Sequence, residues 1–245
     1  MTAAHTLVTG ATRGIGRAIV ELLLAQGQPV VGLARRPDPG FPAPLVCADL
    51  GDAAAAAQAL AEVAQRWPVA RLVNNAGVNQ LQPLGSITDA AMAQVFDLNC
   101  RAAVQCTQAL LPGIRAARDA AGRPVGRIVN ISSRSLLGRL DGSVYAAAKA
   151  ALVGFTRSWA LELAREGVTV NCVAPGPVAT EMFERNNPPG DPRRDRLLGA
   201  VPMQRMGAPE EIAAAVAYFL SPAAGFTTGQ TLFVCGGASI SQIHL

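Results

Sequence analysis

Short runs of apolar residues alternate along the chain with longer stretches in which apolar positions recur every three or four residues. The runs at 5–9, 30–34, 45–47, 71–74, 127–132, 169–174 and 231–234 predict strands, and their continuous apolar character implies burial on both faces. The segments 17–26, 53–66, 88–111, 145–166 and 209–220 predict helices. In the first of these Ile19, Leu22 and Leu23 share a face and Gly27 closes the helix, whereas Pro209 opens the last. Strands joined through helices predict βαβ units, hence an α/β fold built on a doubly wound parallel sheet. No repeat or linker divides residues 1–245, which predicts a single domain. Only the segment 180–205 lacks a pattern. With its Asn186-Asn187-Pro188-Pro189-Gly190-Asp191-Pro192 it predicts a mobile loop, a lid over a binding site.

Composition narrows the class. Half of the 245 residues (50%) are hydrophobic and 16% are charged, which excludes a disordered polar chain. A mean hydropathy of +0.27 raises a membrane reading. The longest uncharged stretch, 212–243, is however broken by Ser221-Pro222, Gly225, Thr227-Thr228-Gly229 and Gly236-Gly237. Its apolar part, 212–220, falls well short of the ~20 residues a membrane helix needs. The N-terminal residues show no secretion signal, so a cytoplasmic protein without a membrane partner is expected. Cys47, Cys100, Cys106, Cys172 and Cys235 are scattered with no C-x-x-C pair, and His5 and His244 are the only histidines. Neither a disulfide framework nor a metal site is expected. The net charge of +4 is dispersed apart from Arg35-Arg36 and Arg193-Arg194, not the clustered stripe that nucleic acid requires.

The first predicted strand runs into Thr9-Gly10-Ala11-Thr12-Arg13-Gly14-Ile15-Gly16 and then a helix. A pyrophosphate needs backbone N–H groups and the positive end of a helix, unobstructed by β-carbons. Gly10, Gly14 and Gly16 supply the turn, the close approach and a tight helix–strand contact, as in a Rossmann-type dinucleotide fold. The second strand ends in Ala34-Arg35-Arg36, with no carboxylate before Asp38. A carboxylate there would bond a ribose 2′-hydroxyl, whereas Arg35 and Arg36, with Arg13 nearby, suit a 2′-phosphate. NADP(H) is therefore favoured over NAD(H).

Tyr145 and Lys149 stand four residues apart at the start of a predicted helix, on one face. A phenol with a pKa of about 10 is a poor acid–base catalyst at neutral pH, and a cation beside it favours the phenolate. The three alanines between them leave room for a ligand alongside.

Taken together these features resemble the short-chain dehydrogenase/reductase family over essentially the whole chain. Thr9 to Gly16 matches its cofactor turn, Asn74-Asn75-Ala76-Gly77 its motif after the fourth strand, and Asn99 its helix asparagine. Ser133 matches its serine, Tyr145 and Lys149 its active-site pair, and Pro175-Gly176 with Val178 and Thr180 the segment lining the nicotinamide. The resemblance implies that Tyr145 exchanges a proton with the substrate oxygen, Ser133 bonds that oxygen, Lys149 lowers the tyrosine pKa and holds the ribose, and Asn99 positions a water. It also places Asp49 and Leu50 near the adenine, with helix capping as the alternative for Asp49, and brings Asn74, Ala76 and Gly77 towards the cofactor. Ser132, adjoining Ser133, is read as structural, and Ser143 is a nearby competitor. Met182 and Phe183 begin the lid and are candidate substrate contacts. Arg193, Arg194 and Arg196 are either a solvated run or face an anionic substrate.

Within the family, 201–207 with Glu210-Glu211-Ile212 and the tail Gly229-Gln230 to Gly236-Gly237 look like the 3-oxoacyl-[acyl-carrier-protein] reductase branch. The implied reaction is NADPH-dependent reduction of a ketone to a secondary alcohol, of a 3-oxoacyl thioester or of a small hydroxy or aryl ketone. A non-catalytic nucleotide sensor and an S-adenosylmethionine-dependent transferase are the rivals. An acyl carrier protein remains an open partner, because Glu166 before Gly167 has the wrong sign for an acidic one while Arg123 and Arg165 can compensate. A homotetramer is implied, with the helices 88–111 and 145–166 at one interface and the C-terminal segment at another.

Overall fold

The computed structural model describes residues 4–241; His244 lies outside them. Seven parallel strands, β1 (His5–Thr9), β2 (Val30–Ala34), β3 (Leu45–Cys47), β4 (Val69–Asn74), β5 (Arg127–Ile131), β6 (Thr169–Pro175) and β7 (Thr231–Val234), form one sheet in the order β3-β2-β1-β4-β5-β6-β7. The winding reverses between β1 and β4, which opens a crevice beyond their carboxyl ends.

Alternate strand residues serve opposite faces. Leu7, Leu33, Leu72 and Ile128 pack with α2 (Ala53–Arg66), α4 (Ala102–Ala116) and α5 (Ser143–Leu163). Val8, Val73, Val129 and Val173 pack with α1 (Gly14–Ala25) and α8 (Pro209–Leu220). Full burial of each such side chain is worth roughly 1.5–3 kcal/mol, and two covered faces explain why these strands read as continuous apolar runs.

Three predicted elements differ in the structure. The helix placed at 17–26 begins earlier, at Gly14, so the glycine turn is already its first turn. The helix placed at 88–111 is three pieces: α3 (Asp89–Phe96), a π-helical turn at Asp97–Arg101, and α4, which runs on through Pro112 to Ala116. Burial of Leu110 and Ile114 on either side of Pro112 outweighs its helix-breaking tendency.

The segment 180–205 is not an irregular loop. It holds α6 (Glu181–Asn186) and α7 (Pro192–Gly199). The Thr180 hydroxyl caps α6 by accepting from Phe183 N, and the Asp191 carboxylate caps α7 by accepting from Arg193 N. Arg194 braces the two helices: it donates to Glu184 and to Asn187 O, and its guanidinium lies 5.4 Å from the Phe183 ring centroid. Turn-forming residues therefore start helices here. Among the described residues no helix is long and apolar enough to cross a membrane, and no group of three or more His, Cys, Asp or Glu side chains is placed to hold a metal.

Candidate active site

A cavity of about 450 Å³ opens at the carboxyl ends of β1, β4 and β5, where the winding reverses. The Gly10–Gly16 turn forms one wall. Gly10 has φ +65°, and a β-carbon on Gly16 would fall 2.2 Å from Gly10 O and 2.6 Å from Asn75 Nδ2. Asn75 Nδ2 in turn donates to Thr9 O and Gly10 O, tying β4 to the turn. Arg13 precedes α1 without a side-chain cap, so the helix N-terminus is left for an anion. Thr12, Gly14 and Ile15 line the same wall, and Thr180 Cγ2 approaches within 3.2 Å of the β-carbon position of Gly14. A cradle that admits only glycine backbone at a bare helix end fits a dinucleotide pyrophosphate.

The far end of the cavity is basic. Arg35 and Arg36 line it and make no hydrogen bond or ion pair among the described residues. The nearest carboxylate in sequence, Asp38, is held by Arg17 and by Gly40 N. Arg13 is paired with Glu181 at 3.2 Å. Asp49 and Leu50 line the cavity as well. The Asp49 carboxylate accepts from Gly51 N, whereas Asp52 caps α2 through Ala54 N and Ala55 N.

Across the cavity, α5 delivers Tyr145 and Lys149, both buried. Lys149 Nζ donates to Ile131 O at 2.9 Å and lies 5.7 Å from the Tyr145 ring centroid. No other lysine occurs in the chain. Burial pushes its ammonium down to about 8, with Cys172 and Cys100 acting the other way. Burial pushes the Tyr145 phenol up, while hydrogen bonding to Ser133 and the charge of Arg139 pull it down. Arg139, from the loop before α5, thus also acts on the phenol.

Asn99 comes from the π turn, an inserted residue that turns its amide inwards. Its Nδ2 donates to Val78 O and Val95 O, and its buried Oδ1 has no partner among the described residues. A β-carbon on Gly77 would lie 2.5 Å from that oxygen and 3.3 Å from Lys149 Nζ. Glycine at 77 therefore lets amide and ammonium face one another.

The two serines separate cleanly. Ser132 Oγ is buried and donates to Lys149 O at 2.7 Å, while Ser133 Oγ, half-buried beside the phenol, accepts from Ser135 N. Pro175, Gly176, Val178, Met182 and Phe183 complete the lining with Ala76 and Gly77.

Several expected contacts are not formed. Asn74 points away into the core, donating to Thr107 Oγ1 and Asn130 Oδ1, because its strand position faces the helices. Ser143 is exposed and outside the cavity. None of the alanines between Tyr145 and Lys149 lines it either; Ala148 packs on Val95 and Cys100. Arg193, Arg194 and Arg196 are also absent from the lining; Arg194 is the lid brace and Arg193 pairs with Asp191. The cavity instead holds Arg134, Arg139 and Arg185, which the sequence did not single out.

A family model described as enoyl-(acyl carrier protein) reductase matches residues 10–239. The 3-oxoacyl-[acyl-carrier-protein] reductase of Vibrio cholerae is 37% identical over 243 residues, covering 94% of this chain and 95% of that one. The chain belongs to the short-chain dehydrogenase/reductase family. Human L-xylulose reductase, another relative, is 38% identical over 244 residues and 95% of each chain. Among solved structures, a blue fluorescent protein from a metagenomic library in complex with NADPH superposes with a TM-score of 0.82 at 32% identity, covering 96% of this chain and 97% of that one. As a short-chain dehydrogenase/reductase the protein is an NAD(P)-dependent oxidoreductase interconverting CH–OH and C=O groups, in the branch of the 3-oxoacyl reductases.

Proposed function

We propose that the protein is an NADPH-dependent reductase of a ketone, reversible as a secondary-alcohol dehydrogenase. The observation that carries this reading is the convergence of Ser133, Tyr145, Lys149 and Asn99 on the cavity that the glycine turn opens. When bound, the nicotinamide supplies the hydride. Gly10, Thr12, Gly14, Ile15 and Gly16 hold the pyrophosphate, Arg13, Arg35 and Arg36 the 2′-phosphate, Asp49 and Leu50 the adenosine end, and Asn75 to Gly77 with Pro175, Gly176, Val178 and Thr180 the nicotinamide end. Ser133 Oγ donates to the ketone oxygen and steadies the charge that grows on it. Tyr145 gives that oxygen its proton, and Lys149 holds the ribose. Asn99 Oδ1, fixed and without a protein partner, accepts from a water that returns a proton to the site.

The substrate is read as a small polar ketone contacting Met182 and Phe183, as the likeness to L-xylulose reductase suggests. A 3-oxoacyl thioester is the second reading, favoured by the likeness to the Vibrio cholerae enzyme. For a carrier-protein partner the charge near Gly167 is mixed, since Glu166 is paired with Arg115 at 2.9 Å. The lid at 180–205, a homotetramer and a cytoplasmic location belong to the same reading. The test follows deuterium from the 4-position of NADPH into product. The label is expected on the carbinol carbon of the alcohol, and label lost to solvent refutes hydride transfer.

A further inference from the structure

The cavity has two basic ends. Arg13, Arg35 and Arg36 serve the cofactor end in the reading above, and Arg134, Arg139 and Arg185 line the part beside Tyr145 and the lid. Among the described residues only Asp49 and Glu181 bring carboxylates to the cavity, and both are engaged, with Gly51 N and with Arg13. No carboxylate of the lining therefore answers the second group.

Among that group Arg139 is the best placed. Its aliphatic stem lies against Gly142, where a β-carbon would meet Cδ at 3.0 Å and Cγ at 3.3 Å. The guanidinium makes no hydrogen bond and no ion pair among the described residues. Asp141 also favours the Arg139 charge, but it lies 3.9 Å from Arg193 and outside the lining. Arg139 and Tyr145 line the same cavity, and while burial pushes the guanidinium down, Tyr145 is the strongest influence in the opposite sense. Two further polar atoms here are buried without a partner among the described residues: Asn79 Oδ1 and Asn186 Nδ2, both from residues of the lining. A half-buried guanidinium that no carboxylate of the lining pairs with is a cost that an incoming carboxylate removes, through two parallel charge-assisted bonds.

We infer that Arg139 is a substrate-binding residue and that the ketone reduced at Tyr145 carries an anionic group, a carboxylate, within a few bonds of the carbonyl. This rests on the reductase reading and narrows its substrate to small keto acids with further polar groups for Asn79 and Asn186. The carboxylate pairs with Arg139 and holds the carbonyl oxygen at Ser133 and Tyr145. Hydride then adds to carbon and the phenolic proton to oxygen, leaving a hydroxy acid.

The test measures kcat/KM with NADPH for C4–C6 keto acids, for their methyl esters and for phosphate monoesters of hydroxyketones. Wild type is compared with Arg139→Met and Arg139→Lys. Wild type is expected to prefer acid over ester by about 30-fold or more, chiefly in KM, because the ester leaves a buried charge unpaired. Arg139→Met is expected to bring that ratio close to one, and Arg139→Lys to restore part of it. A preference for phosphate monoesters with the same dependence on Arg139 keeps the anion site and assigns it to phosphate. Equal rates for acid and ester in wild type overturn the inference without needing any variant, as does a ratio that Arg139→Met leaves unchanged. Turnover of neutral ketones alone refutes this inference and spares the reductase reading; no turnover of any ketone refutes both.

Discussion

Lys149 offers a measurement that few proteins allow, because a chain with one lysine gives one lysine side-chain resonance. Its ammonium is buried, with a single protein acceptor, Ile131 O at 2.9 Å, and no carboxylate beside it. Burial moves its pKa from 10.5 to about 8. The folded protein therefore releases this proton between pH 7 and 9, while the unfolded chain still holds it. Stability must rise with pH wherever the unfolded state binds more protons. Integrated from pH 7 to 9, the lysine contributes a gain of about 1 kcal/mol. From about pH 8 upward the buried thiols Cys106, pushed up to about 12, and Cys172, to about 11, act in the opposite sense by staying protonated in the fold. Subtracting the urea-denaturation profile of Lys149→Met cancels Cys106, whose shift does not involve the lysine, and leaves the lysine together with its coupling to Cys172. Protein carrying 13Cε-lysine should show one resonance titrating near pH 8. A midpoint near 10.4, with no pH-dependent difference from Lys149→Met, would refute the reasoning.

Two further outcomes follow from the cofactor cradle. Gly16→Ala forces a β-carbon to within 2.2 Å of Gly10 O and should cost roughly 1–3 kcal/mol. The melting temperature should fall by about 2–4 °C per kcal/mol, and NADPH affinity by at least about tenfold in calorimetry; unchanged affinity counts against the pyrophosphate site. Arg35→Asp removes a phosphate donor and supplies an acceptor for a ribose hydroxyl. The kcat/KM ratio of NADPH to NADH should drop by about 10–100-fold, and an unaltered ratio would remove Arg35 from cofactor choice.

The sheet was legible because both of its faces are covered, so the strands at 30–34, 45–47 and 231–234 coincide with apolar runs. Tyr145 and Lys149 were legible because helical geometry ties a spacing of four to one face, and Gly10 to Gly16 because only glycine fits that turn. The π turn under Asn99 was hidden, since one inserted helical residue hardly disturbs an apolar period. The lid helices were masked by Thr180, Asp191 and Pro192, residues that serve turns and helix starts alike. Arg139 left no signal, because it reaches the cavity from an irregular loop whose path depends on Gly142. Asn74 misled for the converse reason: it adjoins a cofactor motif, yet strand alternation turns it into the core.

The most direct test of proton delivery by Tyr145 separates turnover from binding in Tyr145→Phe, with Ser133 and Lys149 intact. Single-turnover decay at 340 nm with a reducible ketone should slow by about a thousandfold, within the range for removal of a general acid, while the NADPH dissociation constant stays within about fivefold. Decay at the wild-type rate would contradict the assignment of the proton to Tyr145.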